Sequence, residues 1–141
     1  MFADVLRFSS KVLGFDVKLR DEQYVLLLFW DTDCPHCQAA AGELIDFYHQ
    51  HKKDGFEIVG LALNDSEKVW LNYISEHNID WLNFLEPGGW QGKAAMDYNI
   101  QSTPSMFLLD KNKVIVAKPV DVNELKGLLS SREQAYVDKK N

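Results

Sequence analysis

The sequence predicts an α/β fold, with a central sheet flanked by helices. Three observations predict it. Strand-like and helix-like segments alternate in the order β-α-β-α-β-α-β-β-α, which implies layers stacked around a mostly parallel sheet. The segment Tyr24–Trp30 (YVLLLFW) is apolar throughout, as a strand covered on both faces must be. The last two strand-like segments are joined by a short turn, so a hairpin closes the sheet and adds one antiparallel strand.

The elements follow in chain order. Residues 1–22 read as an N-terminal extension with two short strand-like pieces, of which Val12–Leu19 is the better. After Tyr24–Trp30, a helix is predicted from about Cys34 to Lys53. Cys37, Ala41, Leu44, Ile45 and Tyr48 fall on one of its faces, and Gly55 marks its end. Phe56–Leu63 (FEIVGLAL) is the second strand. Asn64 and Asp65 are helix-capping residue types, and the helix they open runs to about His77 with Val69, Trp70, Tyr73 and Ile74 on its apolar face. Ile79–Leu85 alternates as a short strand does, and Pro87-Gly88-Gly89 is a turn before a short helix near Gly92–Tyr98. Ser105–Leu109 and Val114–Lys118 flank the turn Asp110–Lys113. Asp121 begins the last helix, with Glu124 three residues on in a capping-box arrangement and Leu125, Leu128 and Leu129 as its apolar edge. Residues 132–141 read as a polar C-terminal tail.

A length of 141 residues fits one domain, and 46% hydrophobic with 26% charged residues is the balance of an ordinary globular chain. A net charge of −6 argues against a general binder of nucleic acid or anionic membrane. The longest apolar run is far short of the ~18–20 residues a spanning helix needs. Asp4, Arg7 and Lys11 interrupt the N-terminal stretch, so no signal-peptide core is read in it. Two cysteines exclude a disulfide-dense scaffold.

Those two cysteines carry most of the functional information. Cys34-Pro35-His36-Cys37 follows the buried strand and opens the next helix, the context in which C-x-x-C signals redox chemistry. Two cysteines three apart in a first helical turn have Cα atoms ~5–6 Å apart, within disulfide range. Cys34 lies at the helix N-terminus, where free N–H groups and the dipole favour a thiolate; Cys37 lies a turn inside. Cys34 is therefore the expected nucleophile and Cys37 the resolving thiol. Pro35 suits the first helical position. His36, when protonated, adds to the stabilisation of the Cys34 thiolate, which moves the pair toward the oxidising end of the range. A purely structural disulfide closes too small a loop to contribute much. A zinc half-site lacks two ligands at usual spacing, and Gln38 in place of a histidine excludes c-type haem attachment.

The chain resembles the thioredoxin superfamily, and within it the TlpA/ResA-like thiol-disulfide oxidoreductases of the bacterial cell envelope. YVLLLFWDTDCPHC (Tyr24–Cys37), FEIVGLALNDSEKVWLNYI (Phe56–Ile74) and STPSMFLLDKNKVIVAK (Ser102–Lys118) carry the resemblance. It implies a thioredoxin-like domain over 23–131, a mixed sheet, and a strand-helix insertion between the first βαβ unit and a cis-proline hairpin. It implies Cys34 and Cys37 as catalytic residues. Trp30, Pro35 and His36 are implied in the active-site loop and in tuning the thiolate, and Thr103 with a cis Pro104 in binding substrate. It implies no cofactor beyond the Cys34–Cys37 disulfide, no metal, and protein disulfides or dithiols as partners together with a thiol electron donor. No nucleic acid, no stable membrane insertion and a monomer are expected. Reduction is favoured over oxidation. A copper- or zinc-handling module using Cys34, His36 and Cys37, and an oxidase resembling DsbA in its Pro-His dipeptide, stand as alternatives. Periplasmic or envelope-facing placement comes from the resemblance; a cytoplasmic one stays open.

The chain departs from the family where proton acceptors for the resolving thiol are usual. Leu28 and Ala40 stand at those positions. Glu43, one turn further along the helix, and Glu86, next to a loop, are the glutamates considered in their place, and both read as surface carboxylates. Asp31 and Asp33 read as solvated caps, Trp30 and Trp90 as packed near the site, and His49, His51 and His77 as surface residues.

Overall fold

The computed structural model describes residues 23–140. The expected strand pieces of 1–22 lie outside the described residues. The elements are β1 (Tyr24–Trp30), α1 (Pro35–His51), β2 (Phe56–Ala62), α2 (Glu67–Glu76), β3 (Leu82–Leu85), α3 (Lys93–Asp97), β4 (Ser105–Asp110), β5 (Ile115–Ala117) and α4 (Val122–Lys140). The sheet order is β3-β2-β1-β4-β5. β1 pairs parallel with β2 and antiparallel with β4, and β2 pairs parallel with β3. The sheet is thus mixed and flanked by helices, and β1 lies at its centre.

The period-2 alternation of β1 divides the core into two. Leu26, Leu28 and Trp30 point to the face that holds Cys37 and Leu44 of α1, Trp70 of α2 and Leu125 of α4. Val25, Leu27 and Phe29 point to the other face, against Ala94 and Ala95 of α3 and Phe107 of β4. An all-apolar strand is required because neither face meets water. Each large side chain buried this way contributes roughly 1.5–3 kcal/mol of hydrophobic stabilisation.

Helix ends follow capping chemistry, with one exception to the sequence reading. α1 ends in a 3-10 turn, Lys52–Asp54, and the chain reverses at Gly55 with φ +87°. That left-handed turn, with Gln23 Cβ 3.3 Å from where a side chain would sit, requires glycine. α4 opens as expected, with Asp121 Oδ1 accepting from the Glu124 N–H at 2.8 Å and Glu124 Oε2 from the Val120 N–H at 3.3 Å. α2, however, is capped by Ser66, whose Oγ accepts from the Val69 N–H at 3.3 Å. Asn64 is not the cap. It is buried and still on the extended path out of β2, so its amide is spent on a tertiary contact described below.

Other boundaries also differ. β3 and β5 are shorter than read, because only Leu82–Leu85 pair with β2, and the β4–β5 register shifts at Leu108/Leu109. The backbone of α4 stays helical to Lys140, through the stretch read as a polar tail.

Candidate active site

β1 ends at Trp30, and the chain leaves the sheet through Asp31, Thr32 and Asp33 to enter α1. Asp31 organises this turn. Its Oδ1 accepts from the Asp33 N–H at 2.9 Å, and its carbonyl accepts from the Cys34 N–H at 3.0 Å. Cys34 then has extended angles (φ −87°, ψ 121°) and caps α1 with its own sulfur, which accepts from the Cys37 N–H at 3.4 Å. Pro35 occupies the first turn, where its missing N–H is no loss.

The two thiols are free and unequally placed: Cys34 is half-buried at the rim and Cys37 is 1% exposed beneath it. The Cys37 sulfur faces the Asp31 N–H at 3.5 Å, and the Cys34 thiol points to the Thr103 carbonyl at 3.7 Å. The Thr103–Pro104 peptide bond is cis. Partial burial opposes ionisation of Cys34, but hydrogen bonds from Cys37, the Thr103 side chain and the His36 backbone together outweigh it and hold this thiol below its ordinary value. Burial pushes the Cys37 thiol up to about 12, and the charge of Cys34 adds to the effect. One thiol is thus placed to ionise and reach solvent, and the other to stay protonated beneath it.

The structure brings Cys34, Pro35, Cys37, Thr103 and Pro104 together. His36 acts on Cys34 through its backbone, while its exposed ring lines an adjoining groove with Ala39, Thr103, Pro104, Met106 and Val120. Trp30 is fully buried and packs edge-on to Tyr73 at 5.9 Å and Trp81 at 6.2 Å. Gly60 makes room for these indoles, since a Cβ there would lie 2.9 Å from Trp81 Nε1 and 3.2 Å from Trp30 Nε1. Trp90, by contrast, is 40% exposed on the 3-10 turn Gly89–Gln91.

Glu43 is exposed and lines the groove. Glu86 is 2% exposed, which overturns its reading as a surface carboxylate. Neither carboxyl oxygen makes a well-formed hydrogen bond. Burial raises it to about 7 and the charge of Asp97 adds to this, partly offset by the Ala94 N–H and Lys93. It follows Phe84 and Leu85, which face opposite sides of the sheet, and it packs against Gly92 before α3. It therefore lies on the face away from Cys37.

Four further residues surround the thiols. Thr32, Gln38 and Asn64 form a hydrogen-bonded cluster behind the Asp31–Asp33 turn. Tyr73, stacked on His77 at 3.9 Å, is raised first by burial and then by the charge of Cys37. Its apolar-face spacing gave only a packing role. Among the described residues no group of three or more His, Cys, Asp or Glu is placed to hold a metal ion, and no helix is long and apolar enough to cross a membrane.

A half-exposed, ionisable thiol over a buried partner, at a helix start on a β3-β2-β1-β4-β5 sheet, defines a dithiol protein of thioredoxin-like architecture. Residues 21–115 match the family model described as Thioredoxin-like, and the chain belongs to that family. The chain is similar to the thiol-disulfide oxidoreductase ResA of Oceanobacillus iheyensis, 30% identical over 129 residues, covering 88% of this chain and 66% of the relative. It is similar to that of Bacillus cereus at 26% over 107 residues, covering 74% and 60%. Among solved structures it is similar to the thioredoxin domain of a thiol-disulfide oxidoreductase from Bacteroides vulgatus, with a TM-score of 0.69, 28% identity and 79% of each chain covered. The chain thus spans less than two thirds of the length of the two curated relatives.

Proposed function

We propose that this protein is a thiol-disulfide oxidoreductase that reduces protein disulfides. The observation that carries the reading is the asymmetry of the pair: Cys34 is reachable and held below the ordinary thiol value, and Cys37 is buried, protonated and hydrogen-bonded to it. The Cys34 thiolate attacks one sulfur of a substrate disulfide. A Cys34–substrate bond forms, the substrate S–S bond breaks, and the released thiolate takes a proton from water. Cys37 then attacks Cys34 Sγ, its proton passing to the departing substrate sulfur. The Cys34–Cys37 disulfide forms, and the second substrate thiol leaves. Two electrons have passed to the substrate, and a dithiol donor returns the pair to its reduced state.

The groove bordered by Thr103, Pro104, Met106 and Val120 is where an extended substrate segment docks, with the Thr103 backbone available for strand-like pairing. The names of the two ResA relatives support the oxidoreductase reading. The resemblance to the TlpA/ResA-like group supports an envelope-facing, periplasmic place, action as a monomer, and the Cys34–Cys37 disulfide as the only redox group.

The test is disulfide exchange by the Cys34→Ser variant together with the reduction potential of the wild type. Loss of exchange in the variant is expected, and exchange at the wild-type rate would overturn the reading. A potential near ~−270 mV fits a reductase, and one near ~−120 mV assigns an oxidase instead.

A further inference from the structure

Behind the thiols lies a buried polar pair that the exchange steps do not use. Thr32 is 1% exposed and Asn64 4% exposed. They are 32 residues apart in sequence and meet through two hydrogen bonds. The Asn64 side-chain carbonyl accepts from the Thr32 backbone N–H at 3.1 Å, and the Asn64 amide donates to the Thr32 hydroxyl in a short contact. The third polar group of Thr32, its carbonyl, accepts from Gln38 Nε2 at 2.8 Å. Every hydrogen-bonding group of Thr32 is thereby engaged, two by the exit of β2 and one by α1.

Thr32 is the middle residue of the turn that sets the thiol geometry. The residue before it, Asp31, supplies the carbonyl that receives the Cys34 N–H and the N–H that faces the Cys37 sulfur. Asp33, after it, leads directly into Cys34. An Asx turn alone would leave this segment tied to itself. The Asn64 bridge ties it to the chain leaving β2, the strand paired alongside β1.

We infer that Asn64 is a positioning residue of the dithiol site: by clamping Thr32 it fixes the Asp31–Asp33 turn against the first turn of α1, and so sets the approach of the Cys37 N–H to the Cys34 sulfur. The inference rests on the dithiol reading above. With Asn64 shortened, the buried Thr32 N–H and hydroxyl lose their partner, and the turn regains the freedom to shift toward water to satisfy them. The Cys34 sulfur then holds its amide donor less firmly and its thiolate is less favoured.

The experiment is the pH profile of Cys34 alkylation by iodoacetamide in the full chain, with melting temperature measured alongside, in the wild type and in Asn64→Ala, Thr32→Val and Thr32→Ser. Asn64→Ala is expected to slow alkylation at neutral pH by about tenfold and to move the midpoint up toward the ordinary thiol value. Thr32→Val, which keeps the shape but removes the hydroxyl, moves it in the same direction by less. Thr32→Ser, which retains the hydroxyl, restores the wild-type profile. Profiles of Asn64→Ala and Thr32→Val that coincide with wild type, at whatever melting temperature, would overturn the inference and leave the pair as packing alone. If Asn64→Ala does not fold, Thr32→Val decides. Exchange of bis(2-hydroxyethyl) disulfide by the wild type separates the two levels: its absence defeats the oxidoreductase reading, whereas unshifted profiles in a protein that turns it over defeat only the role of Asn64.

Discussion

The backbone N–H of Cys37 points at the sulfur of Cys34 from 3.4 Å away. The buried cysteine therefore stabilises the thiolate of its neighbour with its main chain, and in the exchange proposed above it attacks that neighbour with its side chain. This arrangement divides the two thiols in pH. Alkylation of the native protein is expected at Cys34 alone, with a midpoint below the ordinary 9.0, while Cys37 stays unmodified until the pH nears about 12. Peptide mapping after timed alkylation checks it. Equal labelling of both cysteines near pH 9 is the contrary result.

Glu86 makes stability depend on pH in the neutral range. Its carboxyl sits in the fold at about 7 against an ordinary 4.5. Because the folded value is raised, the fold is favoured while the group is protonated, and that contribution is lost as pH rises from 4.5 through about 7. At about 1.4 kcal/mol per pH unit, the loss amounts to roughly 3 kcal/mol. Glu86→Gln is expected to flatten the dependence of unfolding free energy on pH and to gain up to that amount at pH 8. Urea titrations at a series of pH values measure it.

Gly60 is expected to tolerate no side chain. In Gly60→Ala the new methyl meets the indole nitrogens of both Trp30 and Trp81. Overpacking of this kind costs about 1–3 kcal/mol. A lower urea midpoint and altered tryptophan fluorescence are the expected signs, and an unchanged midpoint would show that the indoles shift freely.

Val120 is 77% exposed on the groove beside the thiols. Val120→Glu is expected to slow exchange with a protein disulfide severalfold and to leave exchange with bis(2-hydroxyethyl) disulfide unchanged, because the small disulfide needs only the Cys34 sulfur. Stopped-flow rates with the two substrates give the comparison, and parallel slowing of both would assign Val120 to the fold instead.

What could be read from the sequence was what depends on local pattern. YVLLLFW declared a strand buried on both faces, and Cys34-Pro35-His36-Cys37 declared a helix start carrying a thiol pair; the sheet and the helix are where those patterns put them. Asn64 was misread because Asn-Asp before an amphipathic run is a valid cap signal, and only the tertiary approach of Thr32 competes for the amide. The burial of Glu86 was hidden for a similar reason. Beside Pro87-Gly88-Gly89 it looks solvated, and the path of that turn across Gly92, which covers it, is set by α3 docking on the far face of the sheet. His36 is exposed at the first turn of α1, and its backbone favours the Cys34 thiolate, a contribution that the residue type alone does not announce.

The near-complete burial of Cys37 has a kinetic consequence. A visitor can reach a single sulfur, that of Cys34, so under the exchange proposed above a disulfide substrate and a dithiol donor would have to use the same doorway in turn. Neither can wait at the site while the other is engaged. Steady-state rates should then give parallel lines in double-reciprocal plots, and an excess of either partner should inhibit the other.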